Sequence, residues 1–296
     1  MKIGVIGLGH MGKHYAINLL AKYPTFVHDI NKEAVEELFK LGAVPMSSAK
    51  EIAELCDIII TALTSPEVEV NVVAGKDGVL SGAKKGAIII STGTVTHKTT
   101  LKLAKLAKEK GVDYLDAPVS GGETGAKAGS LTIMVGGDQE VFERAIGVFR
   151  VLGKNIFHTG HLGTGNIVKL INNLLSLTNL VSLCEGMVLG VKAGVDAKML
   201  YEVIRHSTGR SQSFEVKLPN QIAIRNFEPG FTVDLAYKDL RLVHEMAQDC
   251  SVPLLLPSIA LQIYALARSK GLNDKDHASI ITLIEDVAKV IVKFTP

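Results

Sequence analysis

A chain of 296 residues is longer than one hydrophobic core usually requires, so two domains are expected. With 47% hydrophobic and 21% charged residues, and 32 basic against 30 acidic side chains, the composition is globular and carries no positive footprint, so a nucleic-acid partner is not expected. Cys56, Cys184 and Cys250 lie far apart with no CxxC spacing, as reduced thiols of a cytoplasmic protein would.

From the N-terminus, Met1-Lys2 leads directly into Ile3-Gly4-Val5-Ile6, too short an apolar run for a targeting segment. Short β-rich runs at 2–6, 25–28, 58–62, 87–91, 113–116 and 131–135 alternate with amphipathic stretches, which predicts repeated βα units and a mainly parallel sheet. Ser48 followed three residues later by Glu51 is a capping-box pattern for one of the helices. After about residue 164 the strand signal ends, and helices are predicted at 164–193, 196–206, 232–249, 256–270 and 276–293. The expected fold is therefore an α/β, Rossmann-type doubly wound sheet over 1–163 followed by an all-helical domain over 164–296. The apolar run 167–191 is interrupted by Lys169, Asn172, Asn173, Asn179 and Glu185, so a helix buried in protein is expected there and no membrane partner.

The first predicted strand runs straight into Gly7-Leu8-Gly9-His10-Met11-Gly12 and then a helix, the context a dinucleotide fingerprint needs. Gly7 permits the tight turn, Gly9 lets backbone approach a pyrophosphate, and Gly12 allows close packing of helix on strand. Asp29, at the end of the second strand, is placed to accept hydrogen bonds from ribose hydroxyls. Its charge repels a 2′-phosphate, so NAD is preferred; Lys32 nearby keeps NADP possible. His10 and His14 have the spacing of a metal pair but lack a third ligand, so no metal is expected.

Four stretches occur in one order: Gly7-Leu8-Gly9-His10-Met11-Gly12, Asp116-Ala117-Pro118-Val119-Ser120-Gly121-Gly122, Gly163-Thr164-Gly165-Asn166-Ile167-Val168-Lys169-Leu170-Ile171-Asn172-Asn173, and Lys238-Asp239-Leu240. Together they resemble the β-hydroxyacid dehydrogenase family, which includes 3-hydroxyisobutyrate dehydrogenase, tartronate semialdehyde reductase and the glyoxylate/succinic semialdehyde reductases. The resemblance implies an oxidoreductase that moves a hydride between a nicotinamide cofactor and a small carboxylate-bearing 3-hydroxy acid or its semialdehyde. It makes Lys169 catalytic and Asn173 its helper. Ser120, Gly121 and Gly122 would hold the substrate carboxylate, Phe231 would wall the substrate pocket, and Leu63, Thr92 and Lys238 would touch the cofactor. A homodimer or homotetramer is implied as well. Two departures stand out: Leu63-Thr64-Ser65-Pro66 moves the family's proline by two positions, and Gly93-Thr94-Val95 replaces its usual residues after Ser91-Thr92.

The chemistry agrees with these roles, because hydride removal from an alcohol needs a base for the hydroxyl proton and the reverse reaction needs the same group as an acid. In a helix, Asn166, Lys169 and Asn173 project from nearly one face. To act near neutral pH the lysine must shed its proton part of the time, which burial beside Val168, Leu170 and Ile171 would favour. The alternatives are an NADP-dependent glyoxylate/succinic semialdehyde reductase of the same family and a cofactor-binding scaffold without turnover. Imine reductases typically lack this lysine, and the long 6-phosphogluconate dehydrogenases need a larger helical domain.

Overall fold

Isoleucine-rich and other β-branched runs form the strands of the first half of the chain, and the amphipathic runs between them cover the sheet. The computed structural model describes residues 1–294. The chain divides into two units, Met1–Lys169 and a second beginning at Leu170.

In the first unit, in chain order, β1 (Ile3–Ile6), α1 (Gly12–Leu20), β2 (Thr25–His28), α2 (Lys32–Lys40), β3 (Val44–Pro45), α3 (Ala49–Leu55), β4 (Ile58–Thr61), α4 (Pro66–Ala74), α5 (Val79–Gly82), β5 (Ile88–Ser91), α6 (His97–Glu109) and β6 (Asp113–Asp116) build alternating units. There follow β7 (Val119–Ser120), α7 (Gly122–Lys127), β8 (Leu131–Gly136), α8 (Gln139–Leu152), β9 (Gly153–Gly160) and the start of α9 (Thr164–Lys192). The sheet order is β3-β2-β1-β4-β5-β6-β8-β7, with β9 paired to β8. Strands β1 to β6 are mutually parallel, and β8 runs antiparallel to β6 and β7. The order reverses between β1 and β4, the point in such sheets where ligands gather beyond the strand ends. In register, His28, Ile6, Thr61, Ser91 and Asp116 form one row across that edge, so every strand of the row except β1 finishes on a polar side chain.

The second unit is helical: the rest of α9, α10 (Ala197–Arg205), α11 (Gln212–Lys217), a π turn at Leu218–Ile222, α12 (Val233–Asp249), α13 (Leu256–Ser269), a 3-10 turn at His277–Ile280 and α14 (Ile281–Ala288). Its core gathers Leu177, Leu180 and Cys184 of α9 with Phe214, Leu218, Val233, Leu240 and Tyr264. By length and composition α9 is apolar enough to cross a membrane. In this fold its apolar residues from Leu177 to Val188 lie buried in the core of the helical unit.

The Rossmann-type sheet followed by helices is as expected, and five points of detail differ. Strand β9 and the two-residue strands β3 and β7 carry too little alternation to be seen in sequence. Helix α11 was hidden by its short length, although Ser211 caps it through a bond from Phe214 N at 3.2 Å. The helix expected at 276–293 is broken: Asp276 caps a 3-10 turn first, and Lys289 adopts φ +56°, the left-handed conformation that ends α14. No strand was expected between 116 and 131, yet beyond Pro118, which has no N–H to donate, Ser120 lies in β7, paired antiparallel to β8. Ser48 does accept from Glu51 N at 3.2 Å, but the Glu51 carboxylate reaches back to Ser47 N at 2.9 Å rather than to Ser48 N.

Candidate active site

The 7–12 turn is shaped by what a side chain would strike. Gly7 sits at φ +89°, and a Cβ there would lie 2.5 Å from the Ala62 carbonyl oxygen; a Cβ on Gly12 would collide with the carbonyl oxygen of Gly7. Gly9, between them, has nothing within 4 Å of its Cβ position, so backbone at that point is open to a close-approaching group. No side chain caps the first turn of α1; Lys13 N donates to the Gly9 carbonyl at 3.2 Å, and the positive end of the helix faces the turn, where it favours an anion. Leu8 is buried, Met11 half-buried and His10 exposed. The Asp29 carboxylate accepts from Leu8 N at 2.6 Å and from Asn31 N at 2.7 Å, so it fastens the end of β2 to this turn and retains lone pairs for further hydroxyls. These residues fit a dinucleotide.

Leu63 and Thr92 follow β4 and β5 on the same edge. Both the backbone N–H and the hydroxyl of Thr92 bond to the Thr61 carbonyl, at 2.9 and 2.8 Å, which ties the two strand ends together. Beneath them the Thr61 hydroxyl donates to Glu69 at 2.6 Å. Glu69 is wholly buried, and burial pushes its carboxyl above the ordinary range against the pull of the Thr61 bond. Nothing in the sequence pattern of α4 pointed to this group.

Asp116, at the end of β6, organises the start of α9. Its two oxygens accept from Gly163 N at 2.7 Å and Asn166 N at 2.8 Å, and burial raises its pKa against the pull of these bonds. Asn166 is itself buried, accepting from Val95 N at 3.1 Å and donating to Thr100 at 3.4 Å. It is therefore a tie between α9 and α6. Lys169, one turn on, is half-buried; Leu170 beside it is buried, while Val168 and Ile171 are 41% and 44% exposed, so the apolar surround is thinner than the sequence suggested. Ser120 is half-buried in β7, and Gly121 (φ +128°) and Gly122 (φ +61°) expose their backbone as the chain turns into α7.

In the helical unit Asn173 is buried, and its amide donates to Asp239 at 2.6 Å while accepting from Asn172 at 3.0 Å. The other Asp239 oxygen lies 3.0 Å from the Lys238 ammonium. Lys238 and Asn173 are thus brought together through Asp239, a residue that sequence reasoning passed over. Phe231 is held at the start of α12 by its N–H bonding to Asp276 at 3.2 Å, by the His277 N–H bonding to its carbonyl at 2.8 Å, and by its ring standing edge-on to His277 at 5.3 Å. Among the described residues no group of three or more His, Cys, Asp or Glu is arranged to hold a metal.

Comparison with known proteins matches residues 2–160 to the NAD binding domain of 6-phosphogluconate dehydrogenase and residues 163–284 to the NAD-binding domain of NADP-dependent 3-hydroxyisobutyrate dehydrogenase. The chain is 43% identical to 2-(hydroxymethyl)glutarate dehydrogenase of Eubacterium barkeri, over 99% of this chain and 97% of that one. The chain belongs to the β-hydroxyacid dehydrogenase family. Within that family it is also 37% identical to the NAD-dependent L-serine dehydrogenase of Pseudomonas aeruginosa, over 96% of this chain and 98% of that protein. A solved β-hydroxyacid dehydrogenase, the 3-hydroxyisobutyrate dehydrogenase of Mycobacterium tuberculosis studied with L-serine, superposes with a TM-score of 0.88 at 30% identity, covering 96% of this chain and 98% of that one. Like its relatives, the chain is a nicotinamide-dependent oxidoreductase of small hydroxy acids.

Proposed function

We propose that the chain interconverts a 2-substituted 3-hydroxypropionate and its semialdehyde, with Lys169 as acid and base. The observation that carries this is the Asp116 carboxylate, which grips the first turn of α9 four residues before Ser120 in sequence. One buried group thereby fastens the helix that bears Lys169 to β6, the strand that leads into the turn assigned to the substrate carboxylate. The substrates named for the three relatives share one skeleton, a primary CH2OH on a carbon that also bears a carboxylate, and that skeleton is the proposed substrate class.

When bound, the nicotinamide accepts or returns the hydride of the substrate's CH2OH carbon. The Lys169 amine takes the hydroxyl proton as the carbonyl forms and returns it in the reverse direction. The Asn173 amide, its orientation set by Asp239, orients the substrate oxygen without adding charge. Ser120 and the N–H groups of Gly121 and Gly122 neutralise the carboxylate and so aim the CH2OH group. Asp29 supports NAD as the preferred cofactor, since its carboxylate meets the ribose end with negative charge. Lys32, exposed at the start of α2, favours the second possibility, an NADP-dependent reductase. Self-association is supported by apolar residues that the helical unit leaves exposed, among them Leu189, Leu255, Leu256 and Ile259.

The test is absorbance at the reduced-nicotinamide band with 3-hydroxyisobutyrate, L-serine, 2-(hydroxymethyl)glutarate, 3-hydroxypropionate, glycerate and succinic semialdehyde, NAD(H) and NADP(H) being assayed separately. Turnover concentrated on the 2-(hydroxymethyl) acids with NAD is expected. Activity with none of them would leave only a cofactor-binding scaffold.

A further inference from the structure

Glu123 stands three residues beyond Ser120, at the start of α7, and reaches across to the dinucleotide turn. Its carboxylate accepts from His10 Nδ1 at 2.9 Å and from His14 Nε2 at 3.2 Å, partners 113 and 109 residues away in sequence. Partial burial works against the charge, but the bonds from His14 and His10 outweigh it and hold the Glu123 carboxyl below its usual value. A second, deeper tie joins the same two helices, where Asn18 of α1 donates to the Ala126 carbonyl of α7 at 2.8 Å. The outer tie is the adjustable one, since the side chains of His10 and Glu123 are 66% and 45% exposed.

The carboxylate turn has little to order it from within. Gly121 and Gly122 carry no side chains, both have positive φ, and Ser120 belongs to a strand of only two residues. Its conformation therefore depends on α7, and the start of α7 is held by Glu123. His10 lies inside the turn that receives the pyrophosphate, so a dinucleotide that restricts His10 also restricts Glu123.

We propose that Glu123 is a positioning residue that couples the two turns, so that dinucleotide on the 7–12 turn and a hydroxy-acid carboxylate on the 120–122 turn each tighten the binding of the other. This rests on the assignment of those turns made under the proposed function. Such coupling is reciprocal by thermodynamic necessity, and a solvent-facing contact limits it to about 2–5-fold.

The experiment is a fluorescence titration of NADH with and without saturating 3-hydroxyisobutyrate, both ligands being in the reduced form so that no chemistry intervenes. In the wild-type chain the acid is expected to tighten NADH binding about threefold. Glu123→Ala should still fold and bind NADH, because the Asn18 bond to the Ala126 carbonyl still ties α1 to α7, but its coupling factor should fall to about one. Glu123→Gln, whose amide can bond both rings, should keep most of the coupling, a rescue that a purely structural role would not require. Equal coupling in Glu123→Ala and wild type, or none in a wild-type chain that turns the acid over, would overturn the proposal. A wild-type chain inert toward every acid in the panel sinks the assignment of the site itself, a result distinct from both.

Discussion

Asp239 shows what a single buried carboxylate does for this site. It satisfies the Asn173 amide on one oxygen and meets the Lys238 ammonium on the other. Asp239→Asn should therefore lower kcat and cost about 1–3 kcal/mol of stability, because a charge-assisted bond is lost and a donor group now faces another donor. Steady-state kinetics and urea denaturation of the same variant check both effects; unchanged kcat would remove Asp239 from the positioning of Asn173. Asp29 calls for a gentler substitution than its assigned role alone suggests, since it also holds Leu8 N. Asp29→Asn keeps that acceptor and removes the charge, so the ratio of kcat/KM for NAD over NADP should fall; an unchanged ratio would show that charge repulsion does not set the preference. At this scale Gly7, Gly9, Gly12 and Asp29 were legible in sequence because their geometry is local to one strand and one turn. Asp239, Asp116 and Glu123 were not, because their partners lie 66, 47 and 113 residues away, beyond any spacing rule.

At the scale of elements, α9 depends on Asp116 for its first turn. A carboxylate can accept from two N–H groups at once, whereas an amide offers one oxygen and turns a donor toward the other. Asp116→Asn should destabilise the chain by about 1–3 kcal/mol and lower kcat through a loosened Lys169, with dinucleotide affinity little changed. Thermal unfolding and NADH titration separate the two effects, and a variant as active as wild type would release Lys169 from this anchor. The parallel strands were legible because runs such as Ile58–Thr61 are apolar on both faces and end at turn residues. Strand β9 was not, since Gly-Lys-Asn-Ile-Phe-His-Thr-Gly owes its extension to pairing with β8 rather than to its own pattern. The last helix was read too long because the apolar periodicity continues past Lys289, where the backbone turns left-handed.

For the molecule as a whole, buried titratable groups give the two units opposite responses to pH. In the helical unit, burial and the Lys217 ammonium push the His277 pKa below 6.5 against the pull of Asp276. The unfolded chain takes up that proton near 6.5 and the folded chain does not, so this stability is present above 6.5 and is lost as the pH falls below it. Asp276 has the same sign: although burial opposes it, His277 and Lys217 hold its carboxyl below 3.8, and its contribution fades in stronger acid. In the first unit Glu69 and Asp116 are raised by burial, so their contribution is complete below ordinary carboxylate values and is lost as the pH climbs through the raised ones. Pulsed hydrogen exchange at one labelling pH, after incubation near pH 5 or near pH 8, should show the helical unit losing protection first in acid. Protection lost first in the sheet unit at the lower pH would contradict this.

The central claim is that Lys169 moves the substrate proton, and single-turnover kinetics of Lys169→Ala test it most directly. With NADH binding measured on the same sample, hydride transfer should slow by at least about 100-fold while the dinucleotide dissociation constant changes by no more than about twofold. Hydride transfer at a near wild-type rate in that variant would contradict the assignment.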